Sequence, residues 1–259
     1  FAGDVMASYK IWEPLKVNVH FSFNSNQNYQ GTYYGKYYPE LGTNGDASVS
    51  TYFNHNVLFE PGLEYKKMFG GHKITAMAGY SYFENQNESL GAHNYDFAVE
   101  DFSYNNIGAG SALGSGLADM NSNKNSNKLI SFYGRVMYNY QEKYLLSASA
   151  RYEGSSRFGA NNKWGLFPSI SVGWRVTEED FAKNLPWLSS LKLRAGYGVT
   201  GNQDISNYLS ISRIQTTNRL FYYNGQWLNT YAPASNPNAD LKWEKKGEFD
   251  VGVDFGLFK

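Results

Sequence analysis

The stretch Tyr144–Val176, YLLSASARYEGSSRFGANNKWGLFPSISVGWRV, decides the fold of this chain. Its first part alternates strictly, with apolar residues at even positions from Tyr144 to Tyr152 and mostly polar residues between them. After a loop rich in Gly, Ser and Asn, the even positions are apolar again from Ile170 onward. A period of two predicts two β-strands, each with one apolar and one polar face. The apolar face must meet either a protein core or lipid.

The same alternation recurs along the chain and predicts about nine strands of about 10–15 residues, against about 5–6 in a typical globular strand. Short and long connections take turns between these strands. The short ones are 13–15, 69–72, 141–143 and the slightly longer 177–190, and the long ones are 29–50, 87–127, 157–166 and 202–240. An up-and-down sheet then has its tight turns at one end and its long loops at the other, which is typical of outer-membrane barrels.

Composition narrows the function classes. The 259 residues carry 23 basic and 23 acidic side chains, so no net charge indicates a nucleic-acid partner. The chain has no cysteine, which excludes disulfides and zinc-thiolate sites. No apolar run approaches the ~18 residues of a membrane helix. Aromatic residues reach 17% and cluster near predicted strand ends, as in the aromatic girdles of membrane barrels.

A series of local motifs carries a family resemblance. These blocks are KYLL at 143–146, RYEGSSRFG at 151–159, WGLFPS at 164–169, GW at 173–174, EEDF at 178–181, LKLR at 191–194, GYGVTGNQ at 196–203, NP at 236–237 and LKWE at 241–244. In this order and spacing they resemble the SusC/RagA family of TonB-linked outer-membrane transporters. The match is strong over Lys128–Lys259 and loose over Phe1–Asn127. Glu153 departs from the family, which usually has Asp before Gly-Ser-Ser.

The resemblance implies a 22-stranded barrel with an N-terminal plug, in a bacterial outer membrane. It also implies import driven by the TonB complex, a SusD-like lipoprotein partner and an oligosaccharide or peptide cargo. Residues 1–259 are then expected to be a partial TonB-dependent receptor β-barrel domain, without the plug and the remaining strands. The predicted fold class is all-β, an antiparallel up-and-down transmembrane β-barrel segment with long external loops and short periplasmic turns.

Aromatic side chains in two long loops are the candidate binding residues, because exposed rings stack on sugars or anchor protein partners. They are Tyr33, Tyr34 and Tyr37 in the first long loop and Tyr222, Tyr223 and Trp227 in the last. The alternative is packing within each loop, with a short hairpin at Leu220–Trp227. The sequence does not separate cargo from lipoprotein as the partner. On the polar strand faces, Arg135, Arg151 and Arg194 are expected to contact the plug or water.

No convergent catalytic set, cofactor site or metal site is predicted, and an enzyme is the least favoured class. Asp119, Asn121, Asn123 and Asn125 resemble the early ligands of a calcium loop, but the required Gly and Glu are missing, which favours a polar external loop. Two alternatives remain open: a passive outer-membrane porin or surface barrel without energy coupling, and a soluble carbohydrate-binding β-domain.

Overall fold

The computed structural model describes residues 1–38, 42–183 and 185–258, apart from the side chains of residues 218 and 219. Within them the chain is all-β and mostly antiparallel. The strands are β1 (Ala2–Trp12), β2 (Leu15–Tyr34), β3 (Asp46–Phe69), β4 (His72–Tyr95), β5 (Asp119–Tyr140), β6 (Tyr144–Ser155), β7 (Trp164–Arg175), β8 (Leu188–Asn202), β9 (Arg213–Tyr223), β10 (Gln226–Ser235) and β11 (Glu244–Leu257).

Nine of the strands form one sheet in the order β1-β2-β3-β4-β5-β6-β7-β8-β11, and β9 and β10 form a separate hairpin. The nine predicted strands and their up-and-down order are therefore confirmed. Two 3-10 helices, Ser103–Ala109 and Val176–Glu178, and the single-turn helix α1 (Asp180–Lys183) interrupt the strands. In the part of the chain that the structure describes, no helix is long and apolar enough to cross a membrane.

The chain forms two compact units. The first unit comprises Phe1–Asp4, Ser22–Val57 and Glu84–Ser126, and the second comprises Val5–Phe21, Leu58–Phe83 and Asn127–Lys259. The second unit contains the regular apolar alternation from which the strands were predicted. The first unit contains polar strand segments in which asparagine recurs at alternate positions.

The predicted bounds of the first two long loops are wrong. The interpretation of 29–50 and 87–127 as loops fails because β2 continues to Tyr34, β3 starts at Asp46, β4 continues to Tyr95 and β5 starts at Asp119. Strands β3 and β4 reach 24 residues each, beyond the predicted 10–15. Residues 84–89 of β4 and 121–128 of β5 are polar on both faces, so the apolar alternation that reveals a strand in the sequence is missing there.

A small aromatic core in the second unit corrects the start of the last strand. The alternation predicts a strand from Leu241, but β11 starts at Glu244. Trp243 is only 5% exposed and packs against Phe158 and Phe167, with ring centroids 4.8 and 5.1 Å apart. Its indole nitrogen donates a hydrogen bond to the Lys163 carbonyl at 3.0 Å. Trp243 is therefore a core residue of the loop region and not part of the exposed apolar face.

Candidate functional site

The second unit presents an exposed apolar sheet face. Pairing of β5 through β8 and β11 brings its outward residues into straight cross-strand rows. One row is Tyr138, Leu146, Val172, Ala195 and Val251, and the next is Val136, Ala148, Ile170, Tyr197 and Phe249. Ile170 is 50% exposed, Val251 64% and Phe249 73%. A contiguous apolar surface of this size marks contact with a partner or with lipid.

The length of the apolar segments fits a bilayer. On β7 the outward residues are apolar from Leu166 to Trp174, which spans nine residues, and on β5 they are mainly apolar from Ile130 to Tyr140, which spans 11. A tilted transmembrane strand needs about 9–11 residues. The apolar face therefore matches the hydrocarbon thickness of a membrane.

The opposite face of the same strands is polar and contains a cavity of about 860 Å³. Its lining mixes polar residues with apolar ones and includes Lys66, Lys73, Ser147, Ser171, Lys192, Arg194 and Asp250 as well as Met68, Met137 and Leu145. Lys66 Nζ lies 2.8 Å from a Glu64 oxygen. Ser171 and Val172 are adjacent on β7, so the two faces separate residue by residue, as expected for a wall between water and lipid.

The three predicted arginines lie on this polar face, and each has a local partner. Arg135 Nε donates to Ser147 Oγ at 3.3 Å. Arg151 Nε donates to Glu153 Oε1 at 3.0 Å, so Glu153, the departure from the family pattern, forms an ion pair on β6. Arg194 contacts Asp250 at 3.2 Å and a second carboxylate, Asp254, at 3.5 Å. Contact of these arginines with a plug stays a prediction.

A polar clasp closes the connection between β7 and β8, and the sequence analysis missed it. Glu179 Oε1 accepts hydrogen bonds from Tyr144 Oη at 2.6 Å and Trp174 Nε1 at 3.2 Å. Glu179 Oε2 accepts one from Lys143 Nζ at 3.0 Å. The Tyr144 and Lys143 hydrogen bonds lower the pKa of Glu179, and Glu179 in turn raises the pKa of Lys143. The sequence feature that could have indicated this contact is Glu179, a carboxylate five residues after Trp174 near the end of β7.

The first group of predicted aromatic residues lies in the first unit, and its three members differ in exposure. Tyr33 is half-buried and its ring meets Phe97 edge-on at 5.8 Å, so packing within the unit accounts for it. Burial raises the pKa of the Tyr33 hydroxyl. Tyr34 packs against Tyr38 at 5.0 Å, and Tyr37 is 84% exposed with Lys36 Nζ 5.0 Å from its ring centre. Of the three, Tyr37 offers the most free surface.

The second group lies on the β9–β10 hairpin of the second unit. Tyr222 pairs with Trp227 across the hairpin, and their rings are 5.0 Å apart. Tyr222, Tyr223 and Trp227 remain 56%, 64% and 65% exposed. The hairpin suspected at Leu220–Trp227 exists and is longer than predicted, extending over Arg213–Ser235. It presents an aromatic surface that the rest of the unit leaves uncovered.

The acidic and amide residues considered as a calcium loop have a different place in the structure. Asp119, Asn121, Asn123 and Asn125 lie at alternate positions of β5, so the prediction of a loop is wrong. Across the described ranges, no three His, Asp or Glu side chains are grouped to hold a metal ion. Two histidines make carboxylate contacts instead: His93 Nε2 lies 2.9 Å from Asp46, and His20 Nδ1 lies 3.6 Å from Glu60.

Known proteins resemble this chain both in sequence and in structure. Residues 7–259 match the family model described as TonB dependent receptor-like, beta-barrel. TonB-dependent receptor P3 of Formosa agariphila is 32% identical over 263 residues, covering 100% of this chain and 25% of that protein. TonB-dependent receptor SusC of Bacteroides thetaiotaomicron is 30% identical over 272 residues, covering 99% of this chain and 25% of that protein.

Among solved structures, the RagAB peptide transporter superposes with a TM-score of 0.89 at 24% identity, covering 99% of this chain and 28% of that one. At this identity the likeness concerns the fold. The chain spans about a quarter of the length of the curated relatives it matches.

Proposed function

The chain belongs to the TonB-dependent receptor β-barrel family, and we propose that it forms part of the wall of an active importer. Family members such as SusC and RagA are outer-membrane proteins of Gram-negative bacteria, and the outer membrane is the location of this chain. We propose that residues 1–259 are one portion of a larger barrel, completed by further strands and a plug. The short share of each relative that the chain covers supports this.

The two-faced sheet of the second unit carries the proposal. Its apolar rows, with Ile170 and Phe249 half or more exposed, suit the acyl chains of the membrane. Its polar face, with the 860 Å³ cavity, suits a water-filled or plug-filled interior. A soluble carbohydrate-binding domain would leave the apolar face in water, which does not fit this arrangement.

We propose that the cargo is an oligosaccharide or a peptide, that the TonB complex supplies the energy, and that a SusD-like lipoprotein assists capture. The family assignment supports each part, and RagAB is itself a peptide transporter. The protein's work is binding and passage, without bond making. Exposed rings at Tyr37, Tyr222, Tyr223 and Trp227 are proposed to contact cargo or lipoprotein.

Uptake by whole cells tests the proposal. Cells that carry the full-length protein should accumulate labelled oligosaccharide or peptide, and accumulation should stop when TonB is deleted or the proton gradient is collapsed. A Trp227→Ala variant should reach the membrane normally, because its side chain is 65% exposed and contributes little to folding. Its uptake at low cargo concentration should fall.

Uptake that is unaffected by loss of TonB would favour the passive porin alternative. Absence of uptake for every oligosaccharide and peptide offered, with the protein correctly inserted, would contradict import altogether. Full uptake by the Trp227→Ala variant would contradict the role of the hairpin rings and leave the import proposal intact.

A further inference from the structure

One lysine interrupts the apolar face of the second unit. Lys67 lies on β3 at the same alternate positions as Leu63 and Phe69, which belong to the outward face and are 48% and 47% exposed. Its neighbour Lys66 belongs to the polar face, where it pairs with Glu64. An ammonium group on a lipid-facing surface is costly, and it therefore needs an anionic partner.

The outward row next to the short turns is aromatic. A two-residue turn joins β3 to β4, so Phe69 and His72 face each other across the hairpin, and their ring centroids are 5.1 Å apart. The row continues across β5, β6 and β7 with Tyr140, Tyr144 and Trp174. A row of this kind marks the boundary between the hydrocarbon and the lipid headgroups.

Lys67 lies one outward row deeper than this boundary. With a rise of about 3.3 Å per residue and a tilt of about 40°, its Cα is about 5 Å closer to the midplane than that of Phe69. The same turn places Ile74 opposite Lys67, and Ile74 offers no polar group. The cavity on the polar face borders Lys67, as it borders Leu146 and Val172, because it lies between the inward rows on either side of this outward row. A lysine stem is long enough for the ammonium group to reach back to the headgroups.

Carboxylates at this end of the strands are already paired with other cations. The four pairs are Glu13–Lys10, Glu64–Lys66, Glu142–Arg175 and Glu179–Lys143. Within residues 1–38, 42–183 and 185–258, Lys67 forms no ion pair. Since β3 is flanked by β2 and β4 in the sheet, strands outside this chain are not its neighbours. The remaining source of negative charge at this depth is the lipid headgroup.

His72 is a second polar group beside Lys67, diagonal to it across the β3–β4 hairpin. Its Nδ1 lies 2.8 Å from Tyr138 Oη. When the tyrosine hydroxyl donates to Nδ1, Nε2 carries the ring hydrogen and can donate to an external oxygen. The imidazole is held between Phe69 and Tyr140, at centroid distances of 5.1 and 4.7 Å. The donor is therefore oriented before a ligand binds, which lowers the entropic cost of binding.

We propose that Lys67 and His72 bind the phosphate of an anionic phospholipid in the leaflet at the short-turn end of the barrel. The ammonium group supplies the charge and the imidazole supplies a directed hydrogen bond, a combination that suits phosphodiester oxygens. A headgroup with a net negative charge is favoured over a zwitterionic one, because the amine of the latter repels Lys67. The inference rests on the lipid-facing assignment of the sheet and goes beyond the proposed import function.

Lipid binding to the purified full-length protein tests the site. Phosphatidylglycerol or phosphatidylcholine is titrated into the protein in detergent, and the binding of single lipid molecules is followed by native mass spectrometry. Phosphatidylglycerol should bind more tightly than phosphatidylcholine. Lys67→Met should weaken phosphatidylglycerol binding about fivefold, as expected for the loss of one cation near an anionic headgroup.

Three variants locate the effect. Lys67→Arg keeps the charge and should bind phosphatidylglycerol like the wild type. Lys73→Met is the matched control, because Lys73 is an exposed lysine next to His72 that lines the cavity on the polar face, and it should leave binding unchanged. His72→Phe keeps the ring contacts and removes the donor, so it should weaken binding less than Lys67→Met.

Inorganic phosphate distinguishes a lipid site from a simple anion site. A large excess of phosphate should not displace phosphatidylglycerol, because free phosphate has no acyl chains to bury against the apolar face. All variants are compared in the form that shows the heat-modifiable mobility of a folded barrel. If Lys67→Met does not fold, Lys67→Gln takes its place and should show the same fivefold loss.

Four results would overturn the inference. These are equal binding of the two lipids, wild-type binding by Lys67→Met, an equal loss in Lys73→Met and Lys67→Met, and displacement of the lipid by inorganic phosphate. The import function is judged separately, by TonB-dependent uptake in cells. Uptake by a protein without lipid preference would leave the import proposal standing while this inference falls, and lipid binding without uptake would do the reverse.

Discussion

A positive charge placed on the apolar face of β7 should destabilise the full-length barrel in proportion to its depth. Ile170 is the central residue of the outward series from Leu166 to Trp174 and is 50% exposed. Ile170→Arg should therefore place a guanidinium near the bilayer midplane. The cost at that depth is about 2–4 kcal/mol, against about 0–1 kcal/mol near the interfaces.

The spacing of β7 sets the expected gradient. Strands rise about 3.3 Å per residue and tilt about 40° in such barrels, so Val172 lies about 5 Å and Leu166 about 10 Å from the depth of Ile170. Val172→Arg should cost nearly as much as Ile170→Arg, and Leu166→Arg should cost little. Val251 lies two strands from Val172 in the same cross-strand row, and at this tilt, with about 4.8 Å between strands, its depth differs by about 6 Å. Val251→Arg should therefore cost about as much as Ile170→Arg if the tilt carries it toward the midplane, and as little as Leu166→Arg if the tilt carries it toward the interface.

The assay is guanidinium unfolding of the full-length protein in lipid vesicles, followed by heat-modifiable electrophoretic mobility. Midpoint shifts convert to free-energy differences through a common slope. Ser171→Arg is the matched control, because Ser171 is adjacent to Val172 and lines the 860 Å³ cavity on the polar face. It should change the unfolding free energy by less than about 0.5 kcal/mol.

Equal destabilisation by Ile170→Arg and Ser171→Arg would refute the assignment of the two faces. If Leu166→Arg cost as much as Ile170→Arg, the faces would stand and the placement of the midplane would be wrong. A small effect at Ile170, Val172 and Val251 together would remove the lipid-facing surface on which the proposed function rests.

Three further predictions concern contacts that stabilise the second unit: the Glu179 clasp, the Trp243 core and the close approach at Gly159. Since its hydrogen bonds lower the pKa of Glu179, the clasp stabilises the protein fully above pH about 4.5 and loses this contribution as pH falls through the lowered pKa. Glu179→Gln should therefore flatten the fall of the unfolding midpoint below pH about 4.5 and leave its pH dependence above that value unchanged. An unchanged profile would contradict a role for the clasp. Trp243→Ala should cost about 3–5 kcal/mol in unfolding free energy, as expected when a large buried ring is removed, and a loss below 1 kcal/mol would argue against the aromatic core. Gly159→Ala should prevent folding, because its Cβ would collide with the Ala239 carbonyl oxygen. Gly70→Ala, at a turn with open space and φ +54°, should lower the unfolding free energy by about 1 kcal/mol. Equal shifts in the electrophoretic mobility of the two variants would contradict this expectation.

The sequence predicts the membrane wall well because lipid imposes a strict pattern on it. Ile170, Val172 and their neighbours must be apolar while the intervening positions meet water, so a period of two survives in the sequence. The nine strands of the main sheet and their order follow from that pattern together with the lengths of the connections.

Segments held by polar contacts are less predictable. Asn87 of β4 accepts a hydrogen bond from Asn54 of β3 and donates one to Asn125 of β5. Around them, residues 84–89 and 121–128 are polar on both faces, so the period of two is hidden. Trp243 continues the alternation of β11 in sequence, yet it turns into a core formed by residues about 80 positions earlier. Such long-range contacts leave no local trace.

The candidate binding residues also differ in how well the sequence predicts their surroundings. Exposure of Tyr222, Tyr223 and Trp227 could be anticipated, because they fall in the long connection 202–240 and not in a strand of the main sheet. The half-buried place of Tyr33 could not, because it depends on Phe97, which is distant in sequence. Whether the exposed rings contact cargo or lipoprotein stays a prediction.

The loop between β6 and β7 holds both ends of the connection from β8 to β11, which carries the β9–β10 hairpin. Arg157 donates hydrogen bonds to Asn207 Oδ1 and to the Gln203 carbonyl, both at 2.9 Å, and these bonds hold the start of this connection. At its other end, Asn161 Nδ2 donates to Asp240 Oδ1 at 2.8 Å and Gly159 N donates to the Leu241 carbonyl at 2.9 Å. Because both ends of the connection are held, its middle part can differ in length and composition without disturbing the strands of the main sheet. The hairpin can therefore be exchanged as a module while the register of the main sheet is kept.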